Sequence, residues 1–365
     1  MPDVNSNIPR RYYPGMDALR GIAVLLVIYY HNFSIFPLSE FGFLGVDLFF
    51  VISGFLITDI LIQDKENGNS IKNFYMRRVL RIFPVYYLTL VFLLFIFPFF
   101  YRIPYDIHYY RTYQYWFYFF FQNWLFILKP LEAKFLLNHF WSLAIEEQFY
   151  LLWPLIIFLA AKTKRLFYTT AGLFLFVFLA RLILLYAHIM NQHAPAFTFL
   201  RFDGLLIGCT LAIFTSYGFI LTRKLLRFIF IPLAIINAAF FLAVFMLKKN
   251  LLYFPCIGYT TFSLLFGLIV HYVIHKRNSS QKKEPDYGPL QFFGKISYGL
   301  YIYHWPVFIL LFPLIQATFL TSLKLPASIS YVLAAGVTTT VAILLSMISH
   351  KYFERFFLAL KRKFV

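Results

Sequence analysis

A histidine, a pair of glutamates and a run of arginines stand in stretches that are otherwise almost free of charge. At the centre of a bilayer an ionisable side chain costs about 2.5–3.5 kcal/mol, so each of these residues is a candidate for chemistry. His31 follows Arg20 by eleven residues. In one helix eleven steps of 100° return to within roughly 20° of the same face, about 16 Å further along. A single cleft can therefore present both. His31 reads either as a general base or as a histidine hydrogen-bonded between helices. Glu146 and Glu147 stand in the string His139-Phe-Trp-Ser-Leu-Ala-Ile-Glu-Glu-Gln-Phe-Tyr150, expected at the depth that His31 reaches. A carboxylate beside an imidazole fixes its tautomer and raises its basicity, as base catalysis requires. Adjacent helical residues point about 100° apart, so one glutamate at most faces His31 squarely, and the other reads as a helix-terminal charge.

The third group is Phe74-Tyr-Met-Arg77-Arg78-Val-Leu-Arg81-Ile-Phe-Pro84. Arg78 and Arg81, three apart, share a helix face and suit bidentate capture of phosphate. The same charges also serve as a topology signal. Asp47 and Asp203 each open an apolar stretch and read as helix caps or as polar groups of a substrate site.

These residues need a membrane to position them. The chain has 365 residues, 61% apolar and only 13% charged, with 49 Phe and 27 Tyr that favour lipid interfaces. Eleven apolar stretches stand near 17–36, 43–62, 82–100, 113–129, 142–161, 166–188, 199–219, 228–247, 252–274, 295–319 and 328–350. If 113–129 is an aromatic segment that does not cross, 24 of the 33 Lys and Arg fall on one side and 7 on the other. That asymmetry predicts ten transmembrane helices with both termini cytoplasmic. The net charge of +18 then belongs to topology and not to nucleic-acid binding. The expected organisation is a cytoplasmic tail at 1–13, one all-α transmembrane domain at 14–355 and a basic cytoplasmic tail at 356–365, in a bacterial inner membrane. Residues 275–291 form the linker-like loop. Cys209 and Cys256 support neither a disulfide framework nor a metal site, and the histidines lack ligand spacing. Ser53-Gly54 reads as a helix-packing contact and not as a nucleophile.

From about residue 14 to 355 the chain resembles the acyltransferase 3 family of membrane-bound acyltransferases. The resemblance rests on Arg20 with ten residues before His31, Gly45-Val-Asp-Leu-Phe-Phe-Val-Ile-Ser-Gly-Phe-Leu-Ile57, the Arg78-x-x-Arg81 pair and Trp141-Ser-Leu-Ala-Ile-Glu-Glu-Gln-Phe-Tyr150. It continues through Arg201-Phe-Asp203-Gly204, Gly294-Lys-Ile-Ser-Tyr-Gly-Leu-Tyr-Ile-Tyr303-His304-Trp-Pro and Tyr352-x-Glu354.

The resemblance implies O-acylation, usually O-acetylation, of a carbohydrate or glycolipid of the envelope, such as lipopolysaccharide, capsule or peptidoglycan. Cytoplasmic acyl-CoA, usually acetyl-CoA, is the implied donor, and no metal is expected. On this reading Arg78 and Arg81, with Arg77, hold the CoA phosphates, and Arg20 polarises the thioester or anchors the cofactor. His31 is the base or carries the acyl group itself. Asp47, Arg201, Asp203, Tyr303 and His304 are candidate substrate contacts, with packing an equal reading for the last two. Relatives of this kind often carry an esterase-like extracytoplasmic domain. The chain ends after the expected tenth span, so action on a lipid-linked or small acceptor, or a separate extracytoplasmic transfer partner, is expected. The competing class is a transporter or flippase of an envelope glycan. Transporters commonly show internal repeats; none is visible here, and the buried charges group by membrane face.

Overall fold

A computed structural model describes residues 13–100, 107–129, 136–160, 163–187, 197–247, 254–276 and 288–364. The polypeptide is all-α, as hydrocarbon demands, since a helix satisfies its backbone hydrogen bonds within one segment. The principal helices are α1 (Pro14–Asn32), α2 (Leu44–Glu66), α3 (Ile71–Val91), α4 (Phe140–Leu159), α5 (Thr163–Tyr186), α6 (Phe202–Ser216), α7 (Arg223–Leu247), α8 (Tyr259–Lys276), α9 (Pro289–Thr321) and α10 (Ala327–Ile348). Local chemistry sets several ends. Pro14 opens α1, where its missing N–H costs nothing. The Ser70 hydroxyl accepts from the Lys72 backbone N–H at the start of α3.

Among the described residues eight helices are long and apolar enough to cross a membrane. The other two of the ten expected spans correspond to α1, which carries Asp17, Arg20 and His31, and to α6, an apolar helix of 15 residues. The 113–129 stretch holds two short helices, Gln114–Tyr118 and Gln122–Leu128, preceded by a third, Ile107–Thr112, each too short to span a bilayer of about 30 Å. The segment expected as a basic tail at 356–365 is helical through Phe364 and packs on α3. Of the expected N-terminal tail, residues 1–12 lie outside the described residues, as do 277–287 of the expected linker.

The interior is built on two helix pairs, α1 with α9 and α2 with α6. Rows of exposed Phe, Leu and Ile on α5 and α7, among them Phe176, Ile183, Phe228 and Ile235, form an outer surface suited to lipid chains.

Glycine makes the α1–α9 contact possible. A Cβ at Gly294 would collide with the Asp17 carbonyl, and one at Gly21 with the Leu290 carbonyl. Backbone atoms cannot move aside as a flexible side chain does. Replacing Gly294 with leucine should therefore part the helices; size-exclusion chromatography and thermal unfolding in detergent should show an aggregated or markedly less stable protein.

Candidate functional site: a histidine layer beside a basic cavity

α1 and α9 run in the same direction, and their glycine contact carries His31 and His304 to one level. His31 Nδ1 lies 3.0 Å from His304 Nε2. His304 is fully buried, with Nδ1 2.8 Å from the Tyr301 carbonyl and 3.2 Å from the Leu300 carbonyl. The Trp305 ring packs 4.7 Å from the His31 ring. His139, just before α4, completes the layer: its ring centre is 5.1 Å from that of His304, and its Nε2 is 3.2 Å from the Ile302 carbonyl. On one side His31 lines a cavity with Tyr30, Ser34, Asn138, Trp305 and Tyr331.

On the other side lies a basic cavity lined by Arg20, Arg78, Arg81, Ser53, Ser142, Glu146, Tyr150, Tyr298 and Tyr301. Asp17 pairs with Arg20 at 3.6 Å. The Arg78 guanidinium stands 5.0 Å from the centre of the Tyr150 ring, and the Tyr150 hydroxyl donates to Glu146 (2.9 Å). Stacking on an aromatic face holds a guanidinium without consuming its N–H donors, so Arg78 keeps donors for an anion. Lys361, from the C-terminal helical segment, lies within electrostatic range of Arg81, Arg78 and Arg20.

Tyr301 stands where the two sides meet. Its hydroxyl donates to the His139 carbonyl (2.6 Å) and lies against Ser142 Oγ (2.5 Å), and its ring is 5.7 Å from that of His304. The arrangement can hold a polyanion at one end and activate a nucleophile at the other, with the histidine layer between.

Several expectations change. The His31–carboxylate pair does not form, because His31 meets His304. Glu146 lies seven residues beyond His139 along α4, about 10 Å deeper by helix rise, and accepts from Ser53 (3.1 Å) as well as Tyr150. Glu147 Oε1 is buried without a hydrogen-bond partner among the described residues, within range of the Arg78 charge. Gly54 is a packing contact, as expected: the Cys209 thiol touches its carbonyl. Ser53, read with it as packing, also bonds Glu146.

Arg77 does not line the basic cavity. Asp64 and the Phe364 carbonyl hold its guanidinium, because it points about 100° away from Arg78. Tyr303 faces away from His31, donates to Ser349 (3.0 Å) and lines an apolar cavity between α3, α9 and α10.

The other candidate substrate contacts neutralise one another. Arg201 pairs with Asp47 at 2.7 Å and lies 3.8 Å from the centre of the Tyr259 ring, while Arg181 pairs with Asp203 at 2.8 Å. All four charges are buried. Neither aspartate caps its helix through its side chain; each balances an arginine instead. Asp47→Ala would leave a buried guanidinium without its carboxylate, which typically costs about 3–5 kcal/mol. Thermal unfolding in detergent should show a large loss of stability, where a substrate contact would alter affinity alone.

Sequence reasoning missed His139, Tyr150 and Tyr301. Each lies within a string already singled out, but their roles depend on contacts between distant helices.

A family profile described as an acyltransferase domain matches residues 13–347, nearly the whole chain. The chain belongs to the acyltransferase 3 family. Similar members include the peptidoglycan O-acetyltransferase OatA of Listeria monocytogenes, 33% identical over 327 residues, covering 85% of this chain and 51% of the relative. O-acetyltransferase OatA of Staphylococcus aureus is 33% identical, covering 82% of this chain and 51% of the relative. The putative peptidoglycan O-acetyltransferase YrhL of Bacillus subtilis is 30% identical, covering 83% and 50%. The chain thus spans about half the length of these acyltransferase 3 relatives. No solved structure matches it.

Proposed function

We propose that the protein is a membrane O-acetyltransferase that moves an acetyl group from acetyl-CoA to a hydroxyl of an envelope carbohydrate, with peptidoglycan favoured by the names of its relatives. The observation that carries this reading is the juxtaposition of a cavity lined by three arginines with a histidine layer that fronts a second cavity. A CoA thioester matches that pattern, having phosphates at one end and its reactive carbon at the end of a long neutral arm.

Arg20, Arg78 and Arg81 hold the phosphates by charge-assisted hydrogen bonds. The pantetheine arm passes Ser53, Glu146 and Tyr298 toward Tyr301. The acceptor enters from the His31 side. As its hydroxyl oxygen attacks the thioester carbon, His31 takes the hydroxyl proton. The new C–O bond forms, the C–S bond breaks, and the leaving thiolate receives that proton, giving an ester and free CoA. The basic end faces the cytoplasm, where acetyl-CoA is made, and the His31 cavity faces the outer side of the bacterial inner membrane.

The test is mass spectrometry of envelope glycans from cells with and without the protein. An increment of one acetyl group that requires the protein supports the reading. No acyl difference in any fraction, with the protein verified in the membrane, overturns it and favours transport of a glycan.

A further inference from the structure

His304 Nδ1 lies within hydrogen-bond distance of two backbone carbonyls, Tyr301 at 2.8 Å and Leu300 at 3.2 Å. A carbonyl only accepts, so this nitrogen carries a proton. A neutral imidazole has one N–H, which leaves a lone pair on His304 Nε2. A cationic ring would be a buried charge with no carboxylate bonded to it among the described residues, a costly state. His31 Nδ1 stands 3.0 Å from that lone pair. Two facing lone pairs repel, so His31 Nδ1 must be the donor. That contact places the single proton of His31 on Nδ1.

We infer that His304 is a positioning residue: through a one-way chain of hydrogen bonds from its own backbone carbonyls it fixes His31 as the Nδ1–H tautomer, leaving Nε2 as the basic atom offered to the acceptor. The inference rests on the reading of His31 as the base. It differs from the usual orientation of a catalytic histidine by a carboxylate, because here a second imidazole, itself locked by the main chain, does that work.

Two-bond 1H–15N spectra of the 15N-histidine-labelled, full-length protein in nanodiscs report the tautomer directly, with His31 assigned by the signals lost in His31→Ala. Wild-type His31 is expected in the Nδ1–H form. In His304→Gln an amide oxygen can take the place of Nε2 as acceptor, so the tautomer and most of the transfer activity should survive. His304→Lys offers only donors and His304→Ala offers nothing; both should lower kcat by about 10²–10⁴-fold, as loss of the productive tautomer does elsewhere, with KM for acetyl-CoA unchanged.

An Nε2–H tautomer in the wild type, or a lysine variant as active as the glutamine one, would overturn the inference. The wild-type spectrum decides even where a variant fails to fold. Normal transfer by His31→Ala overturns the base reading instead, whatever the tautomer, and so separates the two failures.

Discussion

His31→Ala should lower acyl transfer by about 10²–10⁴-fold, the usual contribution of a positioned general base, while the protein remains inserted and folded. Its ring fronts the cavity assigned to the acceptor and is not sealed in the core, so truncation removes the base without opening a void in the tightest packing. His304 keeps its two carbonyl bonds, which do not depend on His31. The measurement is the rate of acetyl transfer by purified protein in nanodiscs, together with thermal unfolding. Turnover at the wild-type rate removes His31 from the mechanism; loss of turnover with a matched fall in stability assigns it to packing.

The second large effect belongs to the arginines. Replacing Arg78 and Arg81 together with alanine should weaken acetyl-CoA binding by about 10²-fold or more, because a hydrogen bond to a charged group contributes about 1.5–3 kcal/mol and two are lost. The maximal rate at saturating donor should change far less, since neither residue touches the histidine layer. Titration calorimetry with acetyl-CoA checks this, and wild-type affinity should fall with added salt where charge carries the binding. Arg77→Ala is the internal contrast. Its guanidinium is held by Asp64 and Phe364, so it should cost stability and leave donor affinity unchanged. Unchanged affinity in the double variant would return Arg78 and Arg81 to the role of topology signals.

The two experiments also mark how far the sequence is legible. Arg78 with Arg81 was readable because helical periodicity alone decides which residues of one segment share a face; the single cleft expected for Arg20 and His31 is instead two, with Arg20 in the basic cavity and His31 in the other. The same geometry, applied to Arg77, distinguishes it from its neighbour, although charge alone does not. The helices were legible because apolar runs of bilayer length have few alternatives. The partner of His31 was not. His304 is 273 residues away, and nothing in a linear pattern says that α9 lies beside α1 in parallel. Nor did sequence place Glu146 in depth: the charge pattern orders the helices across the bilayer but does not set their relative slide. Between α1 and α9 that slide is fixed by Gly21 and Gly294, a contact visible only when both backbones are seen together.

Those two glycines act over a distance. Each precedes its histidine by ten residues, Gly21 before His31 and Gly294 before His304, so the parallel helices form two arms of equal length, about 15 Å by helix rise, diverging from a common fulcrum. One degree of change in crossing angle at the glycines displaces the tips by about 0.3 Å, and a catalytic constellation tolerates about 0.5 Å. Added bulk at the fulcrum is thus magnified at the rings: a methyl group far from the acceptor is enough to part His31 from His304. On the proposed mechanism the alignment of the two rings is in this sense stored in the smallest residues of the chain, about three turns away from the rings themselves.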